Sequence, residues 1–157
     1  MISTGLLLTL VAIATVLSIN QPSARPAQVD ERTLNFASIG ITKGQTVRLN
    51  SLVVGRDTIP VEAVFLDQDG RVLKQATQEI APEHFACFDL NFDLLAVDAL
   101  VRTDGRLPLR ALIKYAPPDQ QFPHAARVVA SLEVIDNKTG KTTLALSVPE
   151  PPERPAV

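Results

Sequence analysis

The chain has 157 residues, a formal net charge of −2 at pH 7 and a hydrophobic fraction of 46%. This length accommodates one domain with one core, and the apolar fraction is typical of a globular chain rather than a disordered one. The slightly negative charge argues against a nucleic-acid partner, because nucleic-acid binders carry a basic face or stripe. One cysteine and two histidines exclude an intramolecular disulfide framework and a multi-cysteine zinc site.

The N-terminus contains an apolar run at residues 6–19, LLLTLVAIATVLSI. It is shorter than the about 20 residues that span a bilayer and matches the about 7–15 residues of a signal-peptide core. We therefore expect residues 1–27 to be an apolar helix and linker that direct export to the periplasm or the extracellular space. No Lys or Arg precedes the run and no clean small-residue cleavage site follows it. An uncleaved membrane tether formed by residues 1–20 therefore stays open as the alternative.

Residues 32–148 form the predicted domain, and the proline-rich residues 149–157 (PEPPERPAV) are expected to be a disordered tail. Within the domain, short β-type segments alternate with turn signals. The predicted strands are 34–41, 46–54, 60–66, 71–79, 85–95, 107–116, 127–135 and 142–148. Several show alternation of apolar and polar residues, most clearly where Phe88, Leu90, Phe92 and Leu94 are interleaved with Asp89, Asn91 and Asp93.

The turns between these strands have the chemistry of tight connections. Gly44, Gly70 and Gly140 each occupy a position at which a hairpin needs a left-handed residue. No segment shows a sustained helical period, so there are no helices to cover a parallel sheet. These features predict an antiparallel, immunoglobulin-like β-sandwich of seven to eight strands.

Three segments also carry a resemblance: FASIGITKGQTVRLN (36–50), VEAVFLDQDGRVL (61–73) and SLEVIDNKTGKTTLAL (131–146). They are similar to segments of a poorly characterised group of exported bacterial Ig-like β-sandwich proteins, whose patterns are GQT-R-LN, FLD-DG-VL and LEV-DN-TG-TT. Many members of that group carry a cysteine near the start of the third strand and another in the penultimate strand, and both are missing here. The resemblance implies the fold and export, and it implies no activity.

Candidate metal ligands are few. His84, Cys87 and His124 would suit copper or zinc if the fold brought them together, but their spacing matches no known signature. His84 and Cys87 are three residues apart, which puts them on opposite faces of a strand and is poor for a catalytic pair. Asp67 and Asp69 resemble the start of a calcium loop, but position twelve is Gln78, so a plain hairpin turn is expected.

Three further expectations concern the lone cysteine, a row of acidic and amide side chains, and the few aromatic residues. Strand parity places Cys87 beside Asp89 on the polar face, where a lone thiol on an exported protein would permit an intermolecular disulfide. Free cysteine is among the most buried residue types, and this favours the other reading, a buried, unreactive thiol. Asp89, Asn91 and Asp93 form a row that is expected to be the solvated side of the sheet rather than a calcium site. Aromatic residues make up only 4% of the chain, so a sugar-stacking surface would have to use Tyr115 and Phe122, beside and within the loop that follows the strand 107–116.

Taken together, the sequence predicts a non-enzymatic, exported structural or protein-interaction module of the bacterial cell envelope. Its partners would be proteins, met through loops or through an open sheet edge. One alternative is a small-ligand or carbohydrate-binding module that uses Tyr115 and Phe122. A second alternative is a periplasmic metal-binding protein that uses His84, Cys87 and His124. No cofactor is expected, and the oligomeric state stays open.

Overall fold

The computed structural model describes residues 31–96, 101–116 and 126–148. The predicted N-terminal helix and the proline-rich tail lie outside these ranges. The described elements are β1 (Arg32–Asn35), β2 (Ile39–Ile41), β3 (Gln45–Val54), β4 (Ile59–Asp67), β5 (Val72–Ile80), β6 (Phe85–Asn91), a 3₁₀ helix (Phe92–Leu94), β7 (Leu107–Tyr115), β8 (Arg127–Asp136) and β9 (Thr142–Val148). None of the helical structure in these ranges has the length and apolar character that crossing a membrane requires.

The strands form two antiparallel sheets. Sheet I has the order β1-β7-β4-β5, with β2 also paired to β7, and sheet II has the order β6-β3-β8-β9. The inner faces of both sheets contribute to one continuous cluster of buried apolar side chains. The prediction of an all-β, antiparallel sandwich is therefore confirmed.

The core follows the period of two that the sequence shows. In β4, Val61, Ala63 and Phe65 are all buried on the inner face, as their alternation predicts. In β8, alternate residues from Val128 to Val134 are buried in the same way. Each of these strands is central in its sheet and is paired on both sides, so its inward side chains lose almost all contact with water.

The first predicted strand, 34–41, is two strands in the structure. Leu34 and Phe36 have even numbers and Ile41 an odd number, yet all three are buried. An uninterrupted strand would turn Ile41 outward, because a slip of one residue exchanges the two faces. The register against β7 absorbs one extra residue between Asn35, opposite Leu112, and Ile39, opposite Leu109. This bulge-like break keeps both halves packed on the core.

The predicted strand 85–95 also ends early. The Asn91 side-chain oxygen accepts a hydrogen bond from the Asp93 backbone N–H at 2.9 Å, which starts the 3₁₀ helix in place of further strand. Consequently Leu94, expected on the inner face, is 83% exposed. The alternation prediction is wrong for this last part of the segment, because a local side-chain-to-backbone bond outcompetes the ladder.

Candidate functional site: the outer face of sheet II

The outward side chains of sheet II are arranged in rows that run across its strands. At one end of the sheet, Leu52 of β3 lies opposite Phe85 of β6 on one side and Val129 of β8 on the other. Phe85 is 71% exposed and Val129 is 47% exposed. We call Phe85, Leu52 and Val129 the apolar row. Single exposed apolar residues are ordinary, whereas three that are adjacent across strands form a patch that another molecule can cover.

The apolar row borders an open hollow of about 310 Å³, which Asn50, Ser131 and Ser147 also line. Cys87, Asn50 and Ser131 form the next row across the strands. The Cys87 thiol donates to Asn50 Oδ1 at 3.2 Å, and Asn50 Nδ2 donates to Ser131 Oγ at 3.3 Å. The hollow therefore offers apolar contact beside side chains that can exchange hydrogen bonds with a bound molecule.

A charged row follows. Arg48 of β3 forms a two-pronged ion pair with Asp89 of β6, with Nε–Oδ1 and Nη2–Oδ2 distances of 2.8 Å. Hydrogen bonding to Arg48 is the main cause that lowers the pKa of Asp89. Burial opposes it as the second-largest effect, and the charges of Arg48 and Lys74 add smaller lowering effects. The same pair raises the pKa of Arg48. This geometry fixes the orientation of two side chains on an otherwise solvated face.

The Arg48–Asp89 pair predicts a pH dependence of stability. The pKa of Asp89 is lower in the folded state, so its stabilisation is present above the unfolded pKa of about 3.9 and is lost as the pH falls through the folded pKa. Both side chains are partly exposed, 38% and 40%, which limits the effect to about 1 kcal/mol. In urea titrations, Asp89→Asn is expected to be less stable than the wild type near pH 6, with the gap closing under acid. Asp57→Asn, at an exposed turn carboxylate, is the control; a gap for Asp89→Asn that persists to about pH 2 contradicts the assignment.

The outer face of sheet I has a row of charged side chains near its centre. There Lys114 of β7 lies 3.6 Å from Glu62 of β4 and 3.8 Å from Glu31, measured from Nζ to the carboxylate oxygens. Both distances describe loose surface ion pairs, which contribute little to stability. The next row of this face, Val64 opposite Leu112, is apolar but buried, whereas Phe85 and Val129 of the apolar row of sheet II are exposed.

Cys87 is exposed, so the expectation of a buried, unreactive thiol is wrong. Parity decided its position: Ala86 and Phe88 are buried on the inner face, and the residue between them must face outward. The general tendency of cysteine to be buried has no influence on a side chain that a regular strand already directs to solvent.

The predicted metal ligands lie on and beside β6. His84 is exposed in the turn before β6, with Nδ1 2.8 Å from the carbonyl oxygen of Pro82. Cys87 bonds Asn50, as described above, and His124 lies outside the described residues. Within residues 31–96, 101–116 and 126–148 there is no group of three or more His, Cys, Asp or Glu side chains placed to hold a metal ion.

Tyr115, predicted as a sugar-stacking residue, is only 2% exposed. Its ring is part of the core cluster, and its hydroxyl group is buried and has no hydrogen-bond partner among the residues that the structure describes. The expectation of an exposed aromatic face at this position is wrong, because Tyr115 lies on the inward side of β7 together with Ile113 and Ala111. Phe122, its predicted companion, lies outside the described residues.

In the two acidic segments considered as calcium sites, the side-chain oxygens accept hydrogen bonds from other groups of the protein. Asp67 Oδ1 accepts from the backbone N–H groups of Asp69 and Arg71 at 2.8 Å, and Gly70 has φ of +81°. The expected hairpin turn is confirmed. Asp89, Asn91 and Asp93 do not act as one row, because Asp89 pairs with Arg48, whereas Asn91 and Asp93 both accept from Asn137 Nδ2.

The sequence reasoning missed the apolar row. A signal was present: Phe85 has the same parity as Cys87 and Asp89, so an aromatic residue stood at the end of a polar face. Its neighbours Leu52 and Val129 are far away in the chain, and only the pairing of β3 with β6 and β8 brings them beside it.

Comparison of the chain with protein-family models, with curated proteins and with solved structures found no match.

Proposed function

We propose that the chain is a non-enzymatic, exported module of the bacterial cell envelope that binds another protein through the outer face of sheet II. The single observation that carries this proposal is the apolar row, in which Phe85 is 71% exposed beside Leu52 and Val129. Aromatic side chains at the centre of an interface supply much of its binding energy when a partner removes them from water.

The neighbouring rows support a protein partner of mixed character. Asn50 and Ser131 offer hydrogen-bonding groups next to the apolar row, and the Arg48–Asp89 pair adds fixed charges beyond them. An apolar centre with a polar margin is the usual anatomy of a protein interface. We infer that the partner presents an apolar segment to Phe85 and polar side chains to the adjoining row.

Two finer features of the proposal concern the fold and the compartment. With β1 and β2 counted as one strand, the pairing of β3 with β6 in one sheet and of β4 with β7 in the other supports an immunoglobulin-like topology, since that fold pairs its second strand with its fifth and its third with its sixth. The pairing of β8 with β3 departs from that fold, in which the seventh strand pairs with the sixth. The apolar run at residues 6–19 supports export, by a cleaved signal peptide or with a retained tether. Both features agree with membership in the exported bacterial group that the three sequence segments resemble.

Site-specific photocrosslinking in intact cells tests the binding surface and the compartment together. A photoreactive amino acid at position 85 or 129 is expected to form an adduct with one defined protein, and the adduct should be recovered with the cell envelope. Val72, which is 56% exposed on β5 of the other sheet, is the matched control. The same adduct should be absent when the photoreactive residue is placed there.

The crosslinks are then tested for dependence on the apolar row itself. When the probe is at position 85, Val129 is replaced by serine, and when the probe is at position 129, Phe85 is replaced by serine. Either substitution is expected to remove the adduct, because the row loses the apolar area that favours association. Equal adducts from positions 85, 129 and 72 would contradict the proposed surface. An adduct found only in the cytoplasmic fraction would contradict the proposed compartment.

A further inference from the structure

The open edges of the two sheets differ in how well they are protected. Unpaired backbone N–H and C=O groups at an edge can recruit another strand, and proteins block such edges with short strands, charged side chains or a covering group. In sheet I, β1 and β2 have only 4 and 3 residues. On the opposite edge of sheet I, β5 carries Lys74 and Glu79.

The β6 edge of sheet II is covered as well. Lys74 reaches across from β5, and its Nζ donates to the backbone carbonyl of Asp89 at 2.6 Å. A backbone acceptor on this edge is thereby occupied by a charged side chain. A second strand arriving here would have to displace that bond and desolvate the ammonium group, which is costly.

Within the described residues, the β9 edge has no charged side chain, no covering group and no shortening to protect it; its one irregularity is a bulge at its start, where the register against β8 shifts between Val134 and Ile135. β9 (Thr142–Val148) has the sequence TTLALSV, without a charge, a proline or a glycine, and it pairs only with β8. Five of its seven residues are β-branched or leucine. Leu144 and Leu146 face the core side, and Thr143 and Ser147 face outward. Leu144, at the edge of the core, is still 38% exposed.

We propose that β9 pairs with β9 of a second copy of this chain, antiparallel about a two-fold axis through Ala145. This inference does not depend on the protein partner proposed for the outer face. It joins the two copies of sheet II into one continuous sheet of eight strands, twice the four in each copy. An interface of this kind is isologous, since each copy contributes the same seven residues.

The register follows from the pattern of β9 itself. With Ala145 opposite its own copy, Leu144 lies opposite Leu146 and Thr143 opposite Ser147. Each of these pairs keeps its side chains on one face, as antiparallel pairing requires. The matched pairing ends there, because the bulge places Thr142 on the outer face with Ile135, whereas Val148 faces the core with Ala130. The leucine pairs extend the core and cover the exposed part of Leu144, and the hydroxyl pairs stay on the solvated face.

The same pattern explains why a second copy fits this edge. A strand of identical sequence meets no like charges, because β9 has no charged side chain. Between residues 143 and 147, apolar residues meet apolar residues and hydroxyl residues meet hydroxyl residues. A foreign strand would need the same alternation and the same lack of charge to fit as well.

Charge substitutions at the proposed axis provide the test. Ala145 is exposed and lies opposite Glu133 of β8, so Ala145→Lys is tolerated within one copy. In the dimer two lysines would lie directly opposite each other, and we expect the dissociation constant to weaken by about tenfold or more. The purified full-length protein is examined by sedimentation equilibrium. The wild type is expected to be a dimer and Ala145→Lys a monomer.

Mixing two variants makes the test specific for self-pairing. Ala145→Glu, which places a carboxylate opposite Glu133 and lowers the stability of each copy slightly, is also expected to be monomeric alone. An equimolar mixture with Ala145→Lys should form a mixed dimer. Thr77→Lys, which adds the same charge at an exposed position of the β5 edge, should leave the wild-type mass unchanged. Thermal unfolding of each variant confirms that it is folded before its mass is interpreted.

Three outcomes would overturn the proposal. A wild type that stays monomeric up to about 100 µM shows that the edge does not recruit its own copy and leaves a foreign peptide as its occupant. A dimer that Ala145→Lys leaves intact places the interface elsewhere, including the apolar N-terminus. A mixture of the two charged variants that stays monomeric overturns the register about Ala145.

Discussion

Replacement of Phe65 by alanine is expected to lower the free energy of unfolding by about 3–5 kcal/mol. Phe65 is 1% exposed and is among the largest fully buried side chains of the described core. It lies on β4, which is paired on one side with β5 and on the other with β7. Strands held on both sides cannot move to fill the space that the ring leaves, so the lost burial and the cavity both add to the cost.

Phe85 provides the matched control, because the same substitution there removes a ring that is 71% exposed. We expect Phe85→Ala to change the free energy of unfolding by no more than about 0.5 kcal/mol. Urea denaturation of both variants measures the contrast. Equal losses at the two positions would mean that Phe85 is packed in the folded protein, and both the assignment of the core and the exposed apolar row would then fail.

Replacement of Gly55 by alanine is expected to cost about 3 kcal/mol. Gly55 follows β3 and has a backbone φ of +141°, a conformation that residues other than glycine rarely adopt. A Cβ atom built there would lie 2.8 Å from the Cα atom of Ala126. The obstacle is backbone and not the end of a flexible side chain, so the start of β8 would have to shift.

Gly44 separates the two contributions to that cost. It also has a positive φ, +81°, but a Cβ atom there meets nothing within 4 Å. Gly44→Ala should therefore cost only the conformational part, about 1 kcal/mol. Thermal or urea unfolding of both variants gives the comparison. If Gly55→Ala proves no more destabilising than Gly44→Ala, the close approach of Gly55 to Ala126 is not a constraint on this fold.

The two proposed interaction features belong to the same sheet and serve different partners. The apolar row lies on the outer face of sheet II, where Phe85 is at the β6 side. The β9 edge lies at the opposite side of that sheet. Pairing through β9 would leave Phe85 of each copy uncovered and would present two apolar rows on one continuous face. A dimer would therefore bind a repeated or elongated partner more tightly than a single copy does.

Much of the fold was predictable because its signals are local. The predicted strand 142–148 coincides with β9, and most of the others differ from the observed strands by a residue or two at each end. Alternation such as Val61, Ala63 and Phe65 needs only neighbouring residues to be recognised. The turn at Gly70 likewise depends on Asp67 and the chain around it.

The errors arose where a strand met its neighbours. A local pattern does not reveal the break between β1 and β2. Both strands pair with β7, and the extra residue between them leaves both Phe36 and Ile41 against the core. Tyr115 reads as an aromatic residue beside a proline-rich loop, and its burial comes from the inward face of β7. Cys87 was expected to follow the average behaviour of cysteine, and its strand parity prevailed.

The amino-acid sequence was sufficient to determine the class of fold, the positions of the strands and the inward face of most of them, because these depend on side chains within a few residues of one another. Only the tertiary structure decided which outward side chains become neighbours. Phe85, Leu52 and Val129 meet because β3 pairs with β6 and β8 in one register. Such pairings are cooperative choices among distant segments, and a shift of one residue would have presented a different surface.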